Sequence, residues 1–177
     1  MSLRNTSTSY GSVSKFFHWL ISPLVILMLI AGYFLEDLPD DFQPTAYNLH
    51  KLTGLTILAL MVLRLMWTLV NPKPELPAGT LAWQRWLQEG VHFALYVFVI
   101  LMPLAGWVGS VAGGRPPHIG DFQFTLPIEP SKELAGTAFD VHGVVAIILI
   151  VLVSLHGLAA LYHHFWKKDD ILKRMLP

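Results

Sequence analysis

The chain has 177 residues, 54% of them hydrophobic, and its mean hydropathy of +0.53 is far above that of a water-soluble domain. Twelve Lys and Arg balance twelve Asp and Glu, and this zero net charge argues against a nucleic-acid partner. Cysteine is absent, which removes disulfides, thiolate metal sites, iron–sulfur clusters and covalent c-type haem attachment, and leaves imidazole as the soft metal ligand.

Apolar runs at about 16–35, 52–70, 91–112 and 141–161 are each long enough to cross a hydrocarbon layer of roughly 30 Å. The expected fold is all-α: an integral membrane four-transmembrane-helix bundle in the lipid bilayer. It forms a single domain over 1–177, with spans of about 16–35, 50–70, 91–112 and 141–164.

Residues 1–14 are polar and rich in Ser and Thr, and are expected outside the membrane. The first span opens KFFHWLISPLVILMLIAGYF, with His18 just inside its end between Phe17 and Trp19, which suit an interfacial aromatic belt. EDLPDD follows instead of a small-residue cleavage site, so the segment reads as a retained helix and not a signal peptide. Pro23 is tolerable near the start of a membrane helix.

An acidic loop leads to LHKLTGLTILALMVLRLMWTLV, where His50 stands at the entrance and Gly54 leaves bare backbone one turn on. Arg64, fourteen residues after His50, faces the same side at the opposite leaflet, either to meet an anion such as a haem propionate or to snorkel to the interface. The third span carries His92 at its entrance and Pro103 and Gly106 as points of bending or close approach. The longest loop, 113–140, could form a lid over one membrane face.

The last span contains His142 and His156, fourteen residues apart, which on a helix is ~21 Å of rise with a drift of only about 40°. Each is costly at lipid depth unless its ring nitrogen is taken up. Placing both termini in the cytoplasm leaves only Lys51, Arg115 and Lys132 of the twelve cations outside, as the positive-inside rule favours.

Depth then matches His18 with His156 at the inner end and His50 with His142 at the outer end. Two opposed neutral imidazoles with no sulfur or carboxylate point to haem b iron, whereas a zinc site lacks its further ligands. Taken singly, each ring could equally be an interfacial side chain bonded to backbone or water. His92 and His163 remain competitors for the inner site, while His164 and His118 read as solvent-facing.

The elements SKFFHW, HKLTG, VLRL, HGVV, SLHG and AALYHHFWKKDDILKRMLP together resemble the bacterial di-haem cytochrome b561 family from about residue 10 to the end. That family is related to the cytochrome b subunits of hydrogenases and formate dehydrogenases. The resemblance implies two haem b groups, with His18 and His156 on the cytoplasmic one and His50 and His142 on the periplasmic one.

It further implies an oxidoreductase of the bacterial inner (cytoplasmic) membrane that takes electrons from superoxide at the periplasmic face and delivers them to ubiquinone. On that reading Lys51, Arg115 and Lys132 are the charges available to attract superoxide. Quinone reduction consumes protons, and His163 near the inner haem is the candidate quinone partner. The alternatives are a cytochrome b subunit carrying electrons between the quinone pool and a partner dehydrogenase, and a non-redox transporter or metal carrier.

Overall fold

The computed structural model describes residues 2–76 and 79–176. Four helices, α1 (Ser12–Tyr33), α2 (Gln43–Leu69), α3 (Ala82–Ala112) and α4 (Lys132–Tyr162), are each long and apolar enough to cross a membrane. A π-helical turn, His163–Lys167, extends α4, and a two-residue hairpin of β1 (His118–Ile119) and β2 (Phe122–Gln123) decorates the long α3–α4 loop.

Every helix begins before its apolar run; α3, for instance, starts nine residues ahead of Val91. Hydropathy marks only what lies in lipid, whereas the backbone hydrogen-bond ladder continues into the interface. The expected 113–140 loop is therefore shorter, 113–131, because α4 begins at Lys132. Ser131 starts it: its side chain accepts from Leu134 N at 3.2 Å, and Glu133 sits in the positive first turn.

The interior is a plug of Ile21, Val25, Ile57, Met61, Val99, Val145 and Leu149, contributed by all four helices. Large apolar side chains such as Leu27, Leu63, Phe93 and Ile147 are exposed on the outer faces, as a bundle solvated by lipid requires. Ser22, Thr56 and Thr68 satisfy their hydroxyls on the carbonyls of His18, Leu52 and Arg64 four residues back.

Helix α3 packs most extensively on α4, and small residues of both helices, Ala105, Gly109 and Ala112 on α3 and Ala135 and Ala138 on α4, are buried. A Cβ at Gly109 would lie 2.9 Å from the Phe139 ring, so glycine sets this close approach. By contrast α1 and α4 touch only slightly, and α2 and α4 even less.

Both termini lie on one face, held together by Trp19 Nε1 donating to Met175 O at 2.7 Å and Lys15 Nζ to Leu176 O. The α3–α4 loop covers the other face. Asn48 clamps it by donating to His118 O and accepting from His118 N, and Trp107 donates to Phe124 O.

Candidate functional site

Two pairs of imidazoles flank the apolar plug. On the loop face the rings of His50 (α2) and His142 (α4) have centroids 6.3 Å apart with planes at 69°. On the terminal face His18 (α1) and His156 (α4) are 6.4 Å apart at 49°. A metal held between two opposed imidazoles needs ~2.0 Å to each nitrogen and ~1.2 Å from each nitrogen to its ring centre, ~6.4 Å in all. Among the described residues no group of three or more His, Cys, Asp or Glu could hold an ion. A two-imidazole donor set of this kind suits haem iron, whose remaining donors come from the porphyrin.

The surroundings fit that group. His142 Nδ1 lies 2.9 Å from Met102 O, and because a carbonyl only accepts, Nδ1 carries the proton and Nε2 keeps its lone pair. Glycines stand against the loop-face rings: a Cβ at Gly106 would lie 2.9 Å from His142 Nδ1, and one at Gly32 would lie 3.1 Å from His50 Cε1. The Nδ1 atoms of His18 and His50 are shielded and, among the described residues, have no hydrogen-bond partner. The helix pairs that carry the opposed rings, α1 with α4 and α2 with α4, are also the ones whose backbones barely meet.

On the terminal face His92 packs edge-on to His156 at 5.4 Å and 66°, about 1 Å closer than a metal-bridged pair by the same arithmetic. Arg64 lies over the Tyr96 ring at 5.5 Å, within electrostatic reach of His18, His92 and His156. The Tyr96 hydroxyl in turn meets Thr68 Oγ1 at 2.9 Å. Arg64 stands at the level its spacing from His50 predicts, whereas Tyr96 and Thr68 carry no sequence signal that marks them for this site.

His163 opens the π-helical turn, after which Lys168 adopts φ +54°, a left-handed conformation uncommon outside glycine. That reversal swings Asp169 back so that His163 Nδ1–H donates to Asp169 Oδ2 at 2.5 Å, while Ile171 N holds the other carboxylate oxygen. His164, expected to face solvent, is instead half-buried with its Nδ1 enclosed, because the wider π turn rotates it inward; His118 is exposed as expected.

On the loop face Lys51 Nζ donates to Arg115 O at 2.8 Å, so the fold brings these two cations together one residue from His50. Lys132 opens the first turn of α4. The same face carries eight carboxylates: Glu36, Asp37, Asp40, Asp41, Asp121, Glu129, Glu133 and Asp140.

Four apolar helices with paired imidazoles at two depths define a haem-binding bundle of the membrane. The family model for prokaryotic cytochrome b561 matches residues 9–177. Cytochrome b561 homolog 2 of Escherichia coli (strain K12) is 33% identical, covering 99% of this chain and 95% of its own. The probable superoxide oxidase CybB of Yersinia pestis is 28% identical over 95% of this chain and 96% of its own. Cytochrome b562 of Cereibacter sphaeroides is 29% identical over 90% and 89%. The chain belongs to the prokaryotic cytochrome b561 family: it is a haem b-binding electron-transfer protein, multi-pass in the bacterial inner membrane.

Proposed function

We propose that the chain is a superoxide:ubiquinone oxidoreductase, one membrane domain with both termini cytoplasmic and two haem b groups. His50 and His142 hold the periplasmic haem, and His18 and His156 hold the cytoplasmic one. The observation that carries this reading is the pair of ring separations, 6.3 and 6.4 Å, at opposite ends of one apolar plug. Haem b bound at each pair supplies a one-electron iron couple.

Overall, two superoxide anions are oxidised to two dioxygen molecules while one ubiquinone takes up two electrons and two protons. Lys51 and Arg115, side by side next to His50, draw the anion to the periplasmic end. Lys132 adds charge at the positive end of α4. At the cytoplasmic end the Asp169 carboxylate fixes the His163 tautomer, so that Nε2 faces away from Asp169 and can exchange a proton with a quinone oxygen. Arg64, held on Tyr96, offers a cation to a propionate. His92 packs on His156 and orients it without being the iron's partner.

The excess of carboxylates on the periplasmic face favours a second reading, in which a basic patch on a partner dehydrogenase docks there and exchanges electrons with the quinone pool. The test is anaerobic addition of superoxide to the detergent-solubilised holoprotein while the haem bands are watched. Prompt reduction, followed by reoxidation on adding ubiquinone, supports the enzyme; bands that stay oxidised refute it.

A further inference from the structure

The N-terminal segment is built into a structure that electron transfer does not use. Residues 3 and 4 cross the start of α1 so closely that a Cβ on Gly11 would lie 2.4 Å from Leu3 O and 2.6 Å from Arg4 O, so only glycine permits the crossing. Asn5 locks it: its Oδ1 accepts from Gly11 N at 2.9 Å and Ser14 Oγ at 2.7 Å, and its Nδ2 donates to Pro72 O at 2.9 Å. Ser12 N closes the loop on Ser2 O at 3.0 Å.

The segment borders an open pocket of about 240 Å³ whose walls include Arg4, Thr6, Ser9, Tyr10, Ser12 and Lys15. The volume exceeds several times the ~30 Å³ share of one water. Among the described residues two cations line it and no carboxylate does. Lys15 gives one hydrogen to Leu176 O and has two more, and among the described residues Arg4 makes no hydrogen bond. The first turn of α1 has no acidic residue; neutral acceptors, Asn5 Oδ1 and Ser2 O, take the Gly11 and Ser12 N–H groups, and among the described residues no negative charge meets its positive end. Burial, with the Tyr96 phenol adding to it, raises Tyr10 above its ordinary value despite Arg64 and Arg174, so it stays a neutral donor.

We infer that this pocket binds a phosphate group, that of an anionic phospholipid in the leaflet on the terminal face. Its depth selects the source: Phe16 and Trp19, 60% and 40% exposed in the same and the next turn of α1, mark the headgroup level. Basic pockets at that level recognise lipid headgroups.

The test is native mass spectrometry of the haem-loaded protein after exchange into phosphatidylglycerol, into phosphatidylcholine, or into detergent with inorganic phosphate alone. The wild type should retain one phosphatidylglycerol and not phosphatidylcholine. The Arg4→Gln and Lys15→Gln variants should each hold it about fivefold more weakly, and Arg4→Lys should recover most of the loss. Unchanged haem absorption in each variant shows that the fold survives. Equal retention by wild type and the Arg4→Gln/Lys15→Gln double variant overturns the proposal, as does occupancy by inorganic phosphate without phosphatidylglycerol.

Discussion

Replacing Gly106 with alanine tests the proposed loop-face haem site without touching a proposed ligand. The added Cβ would lie 2.9 Å from His142 Nδ1 and 3.0 Å from Cε1, inside ordinary contact, so the ring has to move. It cannot move without weakening the 2.9 Å bond from Nδ1–H to Met102 O, the contact that fixes the tautomer. Overpacking of this kind costs about 1–3 kcal/mol, and losing the outer hydrogen bond of a ligating histidine typically weakens the metal site about 10–100-fold.

Gly32→Ala, at 3.1 Å from His50 Cε1, should act in the same direction but more mildly. Gly136→Ala, with nothing within 4 Å, should be neutral or stabilise the helix by about 0.5–1 kcal/mol. The assay is haem per protein by pyridine haemochrome together with a redox titration. One of two potentials should shift or vanish in Gly106→Ala while the other stays. If both potentials and the haem content match the wild type, His142 is not a ligand held in this orientation.

His156→Ala should lose the cytoplasmic haem and keep the periplasmic one, whereas His92→Ala should keep both, as read by haem stoichiometry; loss of haem from the His92 variant would reassign the pair. Asp169→Asn should slow quinone reduction about 10–100-fold at full haem content, and an unchanged quinone rate would remove the His163–Asp169 pair from the site. Lys51→Gln should lower the rate of haem reduction by superoxide several-fold at low salt. That difference should shrink at 1 M salt, where the screening length is about 3 Å; a salt-independent gap would mean a local structural effect instead of attraction.

The four spans were legible because side chains facing lipid must be apolar, and nothing in tertiary packing overrides that. The helix ends were not, although PSKELAG carries a serine cap and an early glutamate that mark the true start of α4. The opposed histidines could be matched by depth, since depth along a helix is simply residue count, although depth alone left His92 and His163 as competitors at the inner level. What contacts them could not. Asp169 reaches His163 only through a π turn and a left-handed Lys168, and neither leaves a compositional trace. Asn48 reads as an ordinary polar residue near an acidic loop, and its clamp on His118 exists only once 113–131 has folded over it.

Helix α4 supplies one ring to each pair, and the fourteen-residue interval explains why its two partners come from different helices. Fourteen residues advance the helix by just under four turns, so His156 is rotated about 40° from His142. A single opposing helix would have to coil to follow that drift; two neighbouring helices, α1 and α2, meet it by standing side by side. Because α1 and α2 each touch α4 so little, the bundle is held instead by the sequence of contacts α1 on α2, α2 on α3 and α3 on α4. The tight Ala105–Gly109–Ala112 seam is what fixes the rotation of α4, and so the aim of both histidines at once. Inserting one residue between His142 and His156 would turn one ring by about 100° relative to the other, so that at most one of the two pairs could remain opposed.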